Sequence, residues 1–327
     1  MALSSEQKAG LWRAKLRSLA ASHFARGEGI DYDAPWGAAL AHEDGVWTAL
    51  LEVSPERSFG QALVLAARNN AESLDVLTNS EAASVARRAQ LFEPSPLIWR
   101  VDGTELALAE PSELTQVPAA PLEPDVAALL AVDGVDLVVE HGVTVGEYRG
   151  LEVARVTGVG AEQRLDVGVG AYDQGAFAVM NPDMTPTESL ASVVEQVRTH
   201  RQSGAAPHPI NRLVRERWIR WELERDPSKI GLVSVVPVEP ASPREGIKDP
   251  GIAPAVGHSK DGTSVLVACT VGIDLDAVPA AADLAELHQT DRIMMVLADR
   301  DRHPRIQAVA RQSKRPVEFT TAPEPWV

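Results

Sequence analysis

VWTALLEVSPERSFGQALVLAARNNAESLDVLTNSEAASVARRAQLFEPSPLIWRV, residues 46–101, holds three short apolar runs separated by two stretches of helical periodicity. Residues 46–53, 74–77 and 97–101 are of strand length, whereas 59–69 and 81–92 place apolar side chains at i, i+3 and i+4. Such alternation is the pattern of parallel strands joined by crossover helices, so the stretch predicts β-α-β-α-β. The same order recurs near the carboxyl terminus, with strands at 264–271, 292–297 and 317–320 and helices at 280–288 and 303–312. The spacings nearly match but the identity is negligible. Two independent copies of a common α/β unit are therefore expected in preference to an internal repeat.

Between these units the pattern changes. Residues 110–124, EPSELTQVPAAPLEP, carry four prolines that remove backbone donors, which predicts a linker. Residues 237–262 concentrate Pro and Gly without either period and read as a second boundary, a loop or lid. The middle holds a helix at 125–132, strands at 136–140, 148–156 and 164–169, helices at 187–201 and 210–223, and a strand at 232–236. The expected fold is α/β, with two β-α-β-α-β units flanking a central α+β block that has a three-stranded sheet. Its domains are 1–110, 125–236 and 262–327, the last packing on the central block. A chain of 327 residues exceeds what one core usually serves, which fits that division.

Composition excludes several functions. A formal charge of −15 repels phosphate at long range and disfavours non-specific binding to duplex nucleic acid. No apolar run reaches the roughly 18–20 residues that span a bilayer, and the amino terminus has no apolar signal region, so no membrane association is expected. Cys269 is the only cysteine, which rules out intrachain disulfides and cysteine-rich metal sites and points to a reducing cytoplasm. Its surroundings, SVLVACTV, predict a buried, inert thiol. The eight histidines include no i, i+4 pair. No Gly-Lys pair, G-x-S-x-G or H-E-x-x-H is present, so P-loop, elbow-serine and zincin chemistry drop out in their usual forms. VGVGAYDQGAF offers Gly168 and Gly170 but has Asp173 where a dinucleotide fingerprint needs its third glycine.

Carboxylates supply the remaining candidates. The central order of helix, three strands, helix and strand, with Glu152 in GLEVARV and Asp166 in RLDVGVG, resembles the core of the PD-(D/E)XK nuclease-like fold. The resemblance is topological and covers about a third of the chain. It implies catalytic acids on the second and third strands, which places Glu152 and Asp166 as metal ligands, with Glu140 completing the cluster and His141 assisting. The third-strand lysine of that pattern is missing. Such a site would hold Mg²⁺ or Mn²⁺ and activate water against a phosphodiester or nucleotide. The same spacing also arises in a sheet whose acids face solvent while Leu151, Val153, Leu165 and Val167 face the core.

Asp274 and Asp276, with Asp299 and Asp301, follow strands of the carboxyl-terminal unit. That is where α/β sheets bind ligands, although Asp is also a frequent cap and turn former. In helix 210–223, Ile210, Leu213, Val214, Trp218 and Trp221 form a docking stripe, leaving Arg212, Arg215, Arg220 and Glu222 on a solvated face or for an anion. The expected function is that of a non-catalytic cytoplasmic binding or regulatory protein; the alternative is the divalent-metal hydrolase. Ligand and cofactor are unknown from sequence, and a protein partner or a second copy of the chain stays open.

Overall fold

The computed structural model describes residues 4–170, 183–244, 246, 248–322 and 324–327; Asp173 lies outside them. In chain order the elements begin with α1 (Ser5–Phe24), β1 (Ile30–Ala34), β2 (Gly37–Ala41), β3 (Val46–Leu51), α2 (Pro55–Arg68), β4 (Ser73–Thr78), α3 (Ala82–Ala89), β5 (Leu97–Asp102) and β6 (Glu105–Leu108). The middle contributes α4 (Pro124–Leu129), β7 (Val135–Glu140), β8 (Val143–Tyr148), β9 (Leu151–Thr157), β10 (Arg164–Val167), α5 (Pro186–His200) and α6 (Arg215–Arg225). The last stretch holds β11 (Ser234–Pro237), β12 (Ala253–His258), β13 (Ser264–Cys269), α7 (Ala277–Leu287), β14 (Arg292–Leu297), α8 (Pro304–Ala310) and β15 (Val317–Thr321). The protein is mixed α/β, with three sheets among the described residues. It divides into two compact units, Met1–Leu114 with Ile273–Leu287 and Arg302–Val317, and Thr115–Gly272 with His288–Asp301 and Glu318–Val327.

The first unit is built on the sheet β1-β2-β3-β4-β5-β6. Its β3, β4 and β5 are parallel, as the opening stretch predicts, while β1, β2 and β6 pair antiparallel with their neighbours. Leu50, Leu77 and Val101 pack with Leu16, Leu19 and Ala20 of α1. Their strand neighbours Leu51, Val76 and Ile98, also buried, point to the other face, where period-two alternation puts them. At the start of α1 a capping box between Ser4 and Gln7 is made in both directions. The sequence reading misses β1 and β2; in β2, GAALA has weak strand propensity, which burial of Ala38, Ala39 and Leu40 overrides.

The second unit contains the antiparallel sheet β10-β9-β8-β7 and the sheet β11-β12-β13-β14-β15. Two expectations are corrected here. The central sheet has four strands, not three, because β8 occupies 143–148, ahead of the expected run 148–156, and turns at Arg149 and Gly150, both left-handed at φ 48° and 75°, into β9. The run 237–262, read as a boundary, contains β12, which pairs antiparallel with both β11 and β13. The strand at 232–236, placed in the central block, therefore belongs to the carboxyl-terminal sheet. The Pro and Gly content of 237–262 hid β12, since Pro254 and Gly257 sit inside that strand.

With β11 and β12 in place, the order helix, two antiparallel strands, β-α-β-α-β occurs twice, from α1 to β5 and from α6 to β15. The shared order thus extends beyond the five elements visible in sequence. Within the first unit, corresponding turns after α3 and α8 meet. Phe92 and Ser313 form an antiparallel bridge, Glu93 N–H donates to Gln312 O at 2.7 Å, and Lys314 N–H donates to Leu91 O at 2.9 Å.

Helix α2 approaches the segment before α7 so closely that a Cβ on Gly60 would lie 2.0 Å from the carbonyl oxygen of Leu275. Gly60→Ala is therefore expected to destabilise by about 1–3 kcal/mol, against the ~1 kcal/mol gain that helix propensity alone would bring. Urea unfolding checks this: a lowered midpoint at unchanged m fits, and a raised midpoint contradicts it.

Candidate functional site

The β9 register carries one extra residue. Glu147 of β8 pairs with Glu152, but Gly146 pairs with Ala154, so Val153 is a bulge. The bulge brings Glu152 and Arg155 to the same face despite their odd spacing. Asp166 pairs with Arg155, and Glu140 pairs with Val143, which puts both acids on that face as well. The opposite face is apolar: Leu151, Val153, Ala154, Val156 and Val167 pack with Leu190, Val193, Val194 and Val197 of α5. The alternation read from sequence is therefore present, but the acidic face is covered.

Helix α6 covers it. The helix expected from 210 is broken: a 3-10 turn spans Pro209–Arg212, Val214 is left-handed (φ 39°, ψ 50°), and α6 starts at Arg215. Ile219 and Leu223 pack on the β11–β15 sheet with Val235, Ala253 and Val265. The charged side, expected to be solvated, faces the acids. Arg217 reaches Glu140 and Glu147, each at 2.8 Å, and Arg220 reaches Glu147 at 2.9 Å. Burial alone would raise the Glu147 carboxyl, but Arg220 and Arg217 outweigh it and hold it below the ordinary range. At the far end, Trp221 Nε1 and Arg225 both donate to Asp136 at 2.8 Å. Gly150 permits the approach, since a Cβ there would lie 2.5 Å from the Arg217 carbonyl.

The break before α6 is held by Arg201. Its guanidinium is fully buried and donates to the carbonyls of Arg149 at 2.9 Å, Ile210 at 3.3 Å, Leu213 at 2.9 Å and Val214 at 3.2 Å. Burial pushes its pKa down to about 9, with Glu147 and Glu216 opposing. Sequence reasoning missed Arg201, Glu147, Arg217 and Arg244; a lone arginine or glutamate in a polar stretch carries no signal of burial.

A pocket of about 410 Å³ opens at this layer, lined by Glu140, His141, Glu152, Arg155, Arg217 and Arg244 among others. Three of the residues chosen from sequence thus meet; Asp166 is absent from that lining. Each acid has a cationic or polar partner. Arg155 grips Glu152 with Nε and Nη2 at 2.8 and 2.7 Å. Asp166 accepts from Thr157 Oγ1 at 3.0 Å and Arg164 Nε at 3.3 Å. Glu140 and His141 do not act as a pair: Glu140 serves Arg217, while the His141 amide and imidazole face Glu239. His141 Nε2 is buried with no hydrogen-bond partner among the described residues. Among those residues no three His, Cys, Asp or Glu side chains are grouped to hold a metal ion.

The other acids divide between the units. Asp301 accepts from the Gly272 amide at 2.9 Å in the second. In the first, Asp274 accepts from the Asp276 amide, and Asp276 joins a buried ionic cluster around Arg88. Arg88 meets Glu56 at 2.8 Å, Asp276 at 2.9 Å and Asp283 at 3.2 Å, and Arg87 grips Asp283 at 2.7 and 2.8 Å. Asp276 is thus a structural partner of Arg88 and not an open ligand. Cys269 is fully buried in the core of the second unit, where burial pushes its thiol up.

No protein-family model, curated protein or solved structure matches this chain.

Burial, aided by Asp274 and Glu56 and opposed by Arg88, pushes Asp276 up to about 8. A carboxyl whose folded pKa lies above its unfolded value binds more protons folded, so it lowers stability as pH rises between the two, here from about 4 to 8. Asp276→Asn removes that titration, and the stability of the variant relative to wild type is expected to improve steadily across this window. Urea unfolding at pH 4.5, 6 and 8 reads it. A variant that instead loses ground towards pH 8 would mean that Asp276 is ionised against Arg88.

Proposed function

We propose that this is a non-catalytic binding or regulatory protein of the cytoplasm, and that the pocket at the α6 layer is a recognition site. The observation that carries this is the position of Arg155. It is bidentate on Glu152 and sits opposite Asp166 in the strand register, where a hydrolase of the resembled kind would place its divalent cation. A guanidinium neutralises the carboxylates as a metal would, but it cannot activate water or act as a Lewis acid. Arg217 and Arg244 line the same pocket, paired with Glu140 and Glu216. Forked donors of this kind, held rigid by their own partners, suit recognition of a polar ligand, a protein partner or a second copy of the chain. The buried single cysteine is in keeping with a reducing compartment.

The alternative, a Mg²⁺- or Mn²⁺-dependent phosphodiester or nucleotide hydrolase using Glu152 and Asp166, requires Arg155 to leave. Thermal melts in millimolar Mg²⁺ or Mn²⁺, run beside an assay with bis(p-nitrophenyl) phosphate, separate the two. The expected result is no ion-dependent rise in Tm and no p-nitrophenolate. A rise of several degrees with metal-dependent release would overturn the binding reading.

A further inference from the structure

A second pocket, also about 410 Å³, lies at the amino-terminal end of α6 in the second unit, and its lining includes Arg212, Leu213, Val214, Arg215, Lys248 and Val271. The volume is in the range of small-ligand sites, roughly 300–1,000 Å³. Val214 is a wall of both pockets. It is β-branched, buried and left-handed, a conformation that costs about 1–3 kcal/mol and persists only where the surroundings impose it.

Its charges are unbalanced in one direction. Two acids line the pocket and both are occupied: Glu216 accepts from Arg244, and Asp249 Oδ2 accepts from the Gly246 amide at 2.7 Å. The cations have no carboxylate partner among the described residues. Neither Arg212 nor Lys248 has an ion pair or side-chain hydrogen bond among the described residues, in a chain where most arginines of this unit are paired. Arg215 gives its Nε to the Asn211 carbonyl at 2.6 Å and lays its guanidinium over the Trp326 ring at 4.5 Å, with no carboxylate in hydrogen-bond contact among the described residues. Burial lowers its pKa; Glu324 opposes this, while Arg212 and Arg300 add to it, so Arg215 stands among other cations within a chain of net charge −15. Around the cations the walls are apolar, from Leu213, Val214, Val271, Pro209 and Pro250.

We infer that this pocket binds a small organic phosphate monoester, with the phosphate between Arg212, Arg215 and Lys248 and an apolar or planar body against Leu213, Val214 and Val271. Guanidinium forks match phosphate oxygens, and an ammonium adds a point charge. The first amides of α6 have no acceptor within the helix and favour an anion at the same end. The apolar wall selects an ester over inorganic phosphate, which would leave that surface wet. The inference deepens the binding reading and rests on it.

The probe is p-nitrophenyl phosphate, titrated calorimetrically into the full chain, with inorganic phosphate and p-nitrobenzyl alcohol as comparisons. Saturable binding of the ester is expected, tighter than either comparison by tenfold or more and weakened by salt. The exposed pair Arg212→Ala with Lys248→Ala should weaken it at least tenfold at unchanged Tm, and Arg212→Lys should retain part of the affinity. No saturable binding at millimolar probe, or binding indifferent to the double substitution, would overturn the inference. The same probe keeps the two readings apart: binding accompanied by metal-dependent release of p-nitrophenolate would leave the phosphate site standing and sink the non-catalytic reading.

Discussion

The second unit depends on one buried carboxylate. Glu147 sits in the middle of an antiparallel sheet, 2 % exposed, and an ionised group there is tolerable only with cations in contact. Two come from α6, through Arg217 and Arg220, one helical turn apart. That demand fixes the rotation and height of α6 on the sheet. Once fixed, the opposite stripe of the helix presents Ile219 and Leu223 to the β11–β15 sheet, so one helix is held by charge on one side and by apolar packing on the other. The chain entering α6 from the 3-10 turn cannot meet that register as a continuous helix. Val214 takes the left-handed turn instead, and Arg201 binds the carbonyls that the break leaves without helical partners.

The same logic of charge compensation decides what the acidic face can do. Three carboxylates on neighbouring strands are the raw material of a divalent-cation site, and the strand register does gather them on one face. Arginine fills the role of the cation: Arg155 on Glu152, and Arg217 between Glu140 and Glu147. Buried pairs of this kind contribute little net stability over apolar packing, but breaking one is costly because it strands a charge. They therefore specify a single arrangement of helix and sheet, and they leave behind a pocket walled by rigid guanidinium groups. The first unit repeats the device around Arg88, which Glu56 and Asp283 hold charged, with the Asp276 carboxyl as a further hydrogen-bond acceptor.

Much of the fold was legible because apolar periodicity reports burial directly. Strands β3, β4, β5, β13, β14 and β15 and the helices between them announce themselves as Val- and Leu-rich runs. What escaped has physical causes. β2 is alanine-rich and β12 carries Pro254 and Gly257, so tertiary pairing and not propensity makes them strands. β8 escaped because Thr144, Gly146 and Glu147 interrupt its apolar pattern ahead of the turn at Arg149 and Gly150. At the site, sequence could mark Glu140, His141 and Glu152 as carrying chemistry and could place them near one another. It could not show that the arginines of α6 turn inward, since an Arg- and Glu-rich helix face reads the same whether it meets water or a sheet of opposite charge.

The central claim is that α6 is docked by the Glu147 ion pairs, and a double-mutant cycle on unfolding free energy tests it most directly, using Glu147→Gln, Arg217→Gln and the two together. Each single substitution is expected to cost about 3–5 kcal/mol by stranding its partner. The double variant should be little worse than either, giving a coupling of about 3 kcal/mol or more. Single losses below about 1 kcal/mol that simply add, with coupling under ~0.5 kcal/mol, would contradict the account.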